Sequence, residues 1–300
     1  MSSQCWLINF RSGNLDGARL AEVMKAHVTV VQLDFSQLQD QLRDAARFDR
    51  VVVVGGDGTF ASILNEAAAE SSPLANIPIG LLPIGTANDL AREVGTYGLG
   101  RLGAHEELPR IFGDLSERNI AIWELEADGV LHGFCNYVSL GFEGAVVSDF
   151  HTWRARSKVQ NRILNRAMYT CFGMRHLFSF LPETTIVHDD RTTACASSRG
   201  LVISNVQSHM GIGTLCRESS PYDDQIECIR ASSPFDYLRM ILAKLGVVPS
   251  LRAVHRGKEF ALEGLPPKTP LQIDGEPKLP VLHGKISVRL KGFARVLTSR

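Results

Sequence analysis

The sequence predicts an α/β domain with a parallel sheet, followed by a β-rich, mostly antiparallel domain. Two observations carry this prediction and a third bounds it. Through about residue 120, apolar runs alternate with stretches of helical spacing, and the runs are nearly continuous, as in strands buried on both faces. Beyond that point, short β-branched and aromatic runs lie between clusters of Gly, Pro, Ser and Asp, the pattern of antiparallel strands. A chain of 300 residues suffices for two domains, each with its own core. The expected boundaries are 1–120 and 121–300, and the return of the last strand to the first domain is left open.

The elements follow in order. CWLINF (5–10) reads as a strand and RSGN as the turn after it. Residues 15–26 have helical spacing, and HVTVVQL (27–33) is β-branched and strand-like. FSQLQDQLRDAA (35–46) spaces its leucines as a helix does. RVVVVG (50–55) is the clearest buried strand, and the alanine-rich FASILNEAAAE (60–70) is the helix after it. IPIGLLPIG (77–85) is another buried run, followed by a helix in ANDLAREVG (87–95). In the second half the strand candidates are FCNYVSLGF, GLVISNVQ, IECIR, EFALE, PLQID, ISVRL and ARVL, with helices near 154–180 and 235–245. There are no internal repeats or low-complexity segments.

The composition excludes some classes. Formal net charge is zero, which argues against a nucleic-acid partner. The six cysteines form no C-x-x-C pair and no zinc spacing with histidine, so they read as thiols of a reducing compartment. No apolar run reaches the ~20 residues of a membrane span, and the N-terminus lacks the pattern of a secretory signal. A cytoplasmic protein is expected, with peripheral attachment to a membrane open.

Two loops carry the chemistry. GGDGT (55–59) ends a buried strand and opens a helix, the place where parallel α/β sheets bind ligands. Gly55, Gly56 and Gly58 lack a Cβ, so backbone N–H groups can approach an anion, and the helix N-terminus favours negative charge. Thr59 offers a hydroxyl. Asp57 would repel phosphates unless a cation such as Mg²⁺ lies between them; the alternative is a tight turn whose Asp caps the helix. PIGTAND (83–89) repeats the arrangement, with Gly85 and Thr86 in the loop and Asn88 and Asp89 at a helix start; here the alternative is simple capping. Two such loops from neighbouring strand ends would line one cleft. Arg11, Ser12 and Gly13, after the first strand, could add phosphate contacts.

With these motifs the sequence resembles the diacylglycerol kinase catalytic-domain family of lipid kinases, especially its soluble bacterial members. The residues that carry the resemblance are GGDGT (55–59), GTAND with Leu90 and Ala91, and IDGE (273–276). NFRSG (9–13), SLGFEG (139–144) and SNVQSHMGIG to PYDDQIE (204–227) resemble further family blocks. GGDGT by itself is shared with NAD kinases and phosphofructokinases; its pairing with GTAND is the more specific sign.

The resemblance implies a fold like that of NAD kinases and diacylglycerol kinases, with the active site in the interdomain cleft. It implies ATP- and Mg²⁺-dependent phosphorylation of a lipid hydroxyl. Family nucleotide contacts carry over to Gly56, Asp57, Gly58, Thr59 and Thr86, and to Asn9, Ser12 and Gly13 in the opening loop. The acidic site carries over to Asp274 and Glu276, and a second-domain magnesium site to Asp224 with the carbonyls of Pro221 and Ile226. The sequence departs from the family pattern at Phe10, which stands where proline is usual, and at Gln225, where glycine is common.

Phosphoryl transfer needs positioning and charge neutralisation more than covalent help. Mg²⁺ held through Asp57, with Asp89 as a further ligand, would screen the charge. A carboxylate must take the proton of the acceptor hydroxyl. Asp274 and Glu276 are the candidates: on a strand they would share a face, and in a turn Gly275 would let them converge. The alternative is a D-G hairpin without chemistry.

One segment bears on the partner. From Phe150 to Pro182 there is no Asp or Glu, while six Arg and Lys residues and several aromatics occur. Such a segment, over 153–180, suits an anionic membrane surface; the alternative is a helix with a solvated basic face. The leading function is a kinase that converts diacylglycerol to phosphatidic acid. The alternatives are a ceramide or sphingoid-lipid kinase, an NAD-kinase-like enzyme with a soluble acceptor, and a catalytically silent nucleotide- or lipid-binding regulator. A homodimer is kept as a candidate assembly.

Overall fold

The protein is described from a computed structural model, which covers residues 3–12, 17–85, 87–102, 105–157, 162–189, 191–211 and 213–299. Its contacts divide the chain into two compact units. One comprises Met1–Ile122, Pro221–Asp223 and Lys291–Arg300; the other comprises Trp123–Ser220 and Asp224–Leu290.

In the first unit, β1 (Gln4–Ile8), β2 (Thr29–Gln32), β3 (Arg50–Gly55) and β4 (Ile79–Pro83) form a parallel sheet in the order β2-β1-β3-β4. The helices are α1 (Gly17–Met24), α2 (Leu38–Ala45), α3 (Asp57–Ala67), α4 (Asp89–Glu93) and α5 (Leu108–Asp114). Val51 to Val54 stand between Cys5–Ile8 of β1 and Ile79–Leu82 of β4. All four valines are fully buried, which explains the unbroken apolar run. At about 2 kcal/mol for each buried valine, this strand anchors the unit. The indole of Trp6 packs edge-on against Phe112, with centroids 5.6 Å apart, and donates to Gln4 Oε1 at 3.0 Å. Gly80 on β4 leaves room for Phe112, since a Cβ there would lie 2.6 Å from its ring.

In the second unit the strands are mostly antiparallel. They comprise β5 (Ser116–Ala127), β6 (Val130–Phe134), β7 (Tyr137–Gly141), β8 (Thr184–His188), β9 (Arg191–Cys195), β10 (Gly200–Ser204), β11 (Ser208–His209), β12 (Gly213–Thr214), β13 (Ile226–Ala231), β14 (Ala253–Gly257), β15 (Glu259–Glu263), β16 (Leu271–Ile273), β17 (Glu276–Pro277) and β18 (Lys285–Thr298). Residues of β5 and β18 belong to both units. One antiparallel sheet runs β14-β13-β10-β7-β16-β17, and β15 pairs with both β18 and β8. Three helices accompany them: α6 (Phe142–Ser157), α7 (Arg162–Arg175) and α8 (Pro234–Lys244).

The structure adds α5, β5, β6, β8, β9 and β14 to the predicted elements and alters others. ISVRL and ARVL are one strand, β18, because Gly292 continues it; a Cβ there would lie 2.7 Å from the Ala68 carbonyl. Helix α6 begins at Phe142, directly after β7, well before residue 154. Helix α3 begins at Asp57, so the loop motif GGDGT is itself half helical. None of the six cysteines is in a disulfide.

Candidate active site

The two glycine loops meet. Gly56 is the N-cap of α3 in an extended conformation, and the first helical hydrogen bond runs from Phe60 N to Gly56 O at 3.0 Å. The N–H groups of Gly58 and Thr59 precede that bond, as donors suited to an anion. A Cβ on Gly55 would lie 2.6 Å from Thr59 Cβ, and one on Gly85 would lie 2.9 Å from Gly56 Cα. Around Gly58 there is open space. Glycine at 55 and 85 therefore lets these loops pack closely, and the space beside Gly58 is open to an anion.

Asp57 does not cap its own helix. It occupies the first helical position, and its Oδ2 accepts from the backbone N–H of Asn88 at 2.6 Å. Asn88 is nearly fully buried in the left-handed region (φ 52°), which asparagine tolerates better than most residues, and its Nδ2 donates to Gly85 O at 2.8 Å. Asp89, in the first turn of α4, is buried as well. The opening loop joins the same group: Asn9 Nδ2 donates to Thr59 Oγ1 at 2.9 Å, and Ser12 Oγ lies 3.2 Å from that oxygen. The Thr59 hydroxyl is thus held by two neighbours. Gly13 and Thr86 lie outside the described residues.

In the second unit, IDGE is a hairpin turn. Asp274 and Gly275 both have positive φ (49° and 83°), and Ile273 pairs with Glu276 across the turn. The two carboxylates do not converge. Asp274 is buried: its Oδ1 accepts from Asn136 N (2.8 Å) and Tyr137 N (3.0 Å), and its Oδ2 from Cys135 N (3.0 Å). Burial raises its pKa above the ordinary carboxylate range, against the pull of those three N–H donors. Glu276 is exposed, with Oε2 3.6 Å from His151 Nδ1 on α6. Burial holds the His151 imidazole below its ordinary pKa; Glu276 opposes this and Arg154 reinforces it.

Sequence reading missed His151 and a buried network. Glu143 and His209 pair at 2.9 Å with almost no solvent exposure. Ser139 Oγ donates to Glu143, and Gln272 Nε2 donates to Ser139 Oγ at 2.7 Å. Gln272 Oε1 in turn accepts from Gly275 N at 2.8 Å, so the network reaches the acidic turn. Glu143 and His209 lie within the blocks SLGFEG and SNVQSHMGIG, but no spacing in the sequence links residues so far apart.

The residues expected to hold a second-domain magnesium have partners within the protein. Asp224 pairs through one oxygen with the Lys258 ammonium and accepts from Gln225 Nε2 with the other at 3.0 Å. The Pro221 carbonyl accepts from Ala121 N at 2.7 Å, and Ile226 is paired with Gly257 in the β13–β14 ladder. The Lys258 ammonium thus stands beside Asp224, where the positive charge of a metal was expected. Among the described residues no three His, Cys, Asp or Glu side chains gather as a metal site.

The chain is similar to known proteins along most of its length. The family model of the diacylglycerol kinase catalytic domain matches residues 5–115, and that of the diacylglycerol kinase accessory domain matches residues 133–277. "Diacylglycerol kinase 2" of Arabidopsis thaliana is 25% identical over 90% of this chain, which spans 42% of that protein. "Diacylglycerol kinase iota" of Mus musculus is 30% identical over 54% of this chain and 18% of its own length. The crystal structure of a diacylglycerol kinase from Bacillus anthracis superposes over 99% of this chain and 97% of its own, with a TM-score of 0.68 at 16% identity, a likeness of fold.

Proposed function

Since this chain belongs to the diacylglycerol kinase catalytic-domain family, we propose that it transfers the γ-phosphate of ATP to a lipid hydroxyl, with diacylglycerol as acceptor and phosphatidic acid as product. The observation that carries the proposal is the meeting of the two glycine loops through Asp57 and Asn88. Backbone N–H groups at the start of α3 hold the phosphates, and the open space at Gly58 admits them. Mg²⁺ would supply charge neutralisation when bound, and Asp57 is the residue that would hold it.

The acidic turn supplies the base. Asp274 is fixed by three N–H donors, and Glu276 presents its carboxylate outward beside a neutral His151. The turn as a unit takes the proton of the acceptor hydroxyl. The presence of Asp57, Asp89, Asp274 and Glu276 favours an active kinase over a silent binding protein.

The test is transfer of radiolabel from [γ-³²P]ATP with diacylglycerol, ceramide and NAD offered in parallel. Label on diacylglycerol is expected. Label on ceramide alone would change the acceptor but keep the lipid-kinase class. Label on NAD alone, or on none, would refute the proposal.

A further inference from the structure

We propose that His151 on α6 is a positioning residue that acts through Glu276, receiving the proton that Glu276 takes from the acceptor hydroxyl; the proposal rests on the kinase reading above. The acidic turn is held from two sides. On the inner side, Gln272 Oε1 accepts from Gly275 N at 2.8 Å, and Gln272 Nε2 donates to Ser139 Oγ at 2.7 Å. On the outer side, the His151 ring bonds to the backbone of Gly275, and its Nδ1 stands 3.6 Å from Glu276 Oε2. Catalytic contacts are commonly long before substrate binds and tighten when it does.

Glu276 needs such a neighbour. A carboxylate that takes a proton in each turnover must lose it before the next. Asp274 cannot receive it: it is buried, and its oxygens already accept from the N–H groups of residues 135–137 and from the Cys135 thiol. Arg154, the other charged group acting on the ring, has no site for a further proton. Asp149, on the same helix, is engaged with Arg175 and His176 at the end of α7. Tyr169 of α7 packs edge-on against Phe150, and burial pushes its hydroxyl pKa far up, so it stays protonated. Among the described residues, His151 is the one placed to receive the proton, and with 30% of its side chain exposed it can pass it to water.

An imidazole ordinarily binds a proton more tightly than a carboxylate does, which gives the step its direction. Burial and Arg154 hold the ring below its usual pKa, so it stays neutral and able to accept over a wider range of pH. The step balances. The acceptor oxygen bonds to the γ-phosphorus, and the bond from that phosphorus to the β–γ bridging oxygen breaks, its electron pair leaving with ADP. The hydroxyl proton passes to the Glu276 carboxylate, then to His151 Nδ1, then to water, and Glu276 is again a carboxylate.

The experiment is the pH dependence of transfer from ATP to diacylglycerol by wild type, His151→Gln and His151→Ala. Wild-type kcat should fall as pH drops through the His151 midpoint, read independently by NMR, because only the neutral ring accepts. His151→Gln stays polar but does not titrate. Its kcat should be about tenfold lower, short of the ~10²–10⁴-fold that a base touching the substrate supplies. Its KM for ATP should hold, and the acid limb at that midpoint should vanish. Imidazole added to His151→Ala should restore activity, and Arg154→Gln should move the acid limb to higher pH. Wild-type kcat and acid limb in His151→Gln overturn the proposal. So does a loss of activity in His151→Ala that imidazole does not rescue. A wild type that phosphorylates no acceptor refutes the kinase reading itself, whereas an active wild type matched by His151→Gln refutes only the role of His151.

Discussion

Replacing Gly85 with alanine tests the meeting of the two loops most directly. The new Cβ would lie 2.8 Å from Asn88 Oδ1 and 2.9 Å from Gly56 Cα, where about 3.4 Å is comfortable. Each contact must open by roughly half an ångström, on the scale at which overpacking costs about 1–3 kcal/mol. Neither neighbour yields easily. Gly56 meets the methyl with backbone at a helix N-cap, and Asn88 is buried and tied to both Gly85 O and Asp57. The loops therefore part, and phosphates held between them shift. A displacement of up to 1 Å at a reacting group lowers kcat by about 10–100-fold. Gly58→Ala is the control: its Cβ would meet nothing within 4 Å, so stability should hold while KM for ATP rises, because that open space is where phosphate is expected. The assays are thermal melting and steady-state transfer with ATP varied. A Gly85→Ala protein with wild-type melting temperature, KM and kcat would refute the convergence of the loops.

Other expectations follow from the second unit. Asp274→Asn leaves buried N–H donors facing an amide and should cost about 1–3 kcal/mol in urea unfolding as well as transfer activity. Glu276→Gln, at an exposed site, should abolish transfer while stability changes by less than about 0.5 kcal/mol; equal stability losses in the two variants would contradict their different settings. His209→Ala strands the buried Glu143 carboxylate and should destabilise by about 3–5 kcal/mol; a loss below about 1 kcal/mol would argue against the pair. The His151 imidazole, with its pKa lowered in the fold, should titrate by NMR below the ordinary histidine midpoint. Its neutral form is the one the fold favours, so its contribution to stability is present above about pH 6.5 and lost as pH falls through the lowered folded value. Glu276→Gln should lower that midpoint further, since the carboxylate opposes the shift; an upward shift would refute the contact.

The parts that were legible in the sequence are those whose cause is local. Val51 to Val54 read as a central strand because burial on both faces demands apolar residues at every position, and the structure places them between β1 and β4. The glycines at 55 and 85 read as close-approach positions because only the absence of a Cβ explains them beside strand ends, and the contacts of their missing Cβ atoms are backbone and buried side chains. Asp274-Gly275 allowed a hairpin turn among other readings, and the positive φ of both residues shows the turn. The β-rich character of the second half read from composition alone, although α6 was obscured: its apolar residues are spread around the helix without a clear stripe.

Tertiary structure decided what depends on residues far apart in the chain. Whether Asp57 caps α3 or reaches the second loop is not written in GGDGT; it turns on where β4 delivers Asn88, and the register of β3 with β4 puts that N–H 2.6 Å away. The local pattern of IDGE allowed its carboxylates to share a face or converge. Three N–H groups of residues 135–137 draw Asp274 inward, while Glu276 stays outside with a histidine from α6. Lys258 beside Asp224, and Glu143 paired with His209, arise in the same way. Thus the sequence by itself determined the buried strands of the first unit, its glycine turns and the inventory of charged groups, because these follow from short-range sterics and burial. The fold alone decided which charges meet, because electrostatic partners are chosen by distance in space and not by separation along the chain.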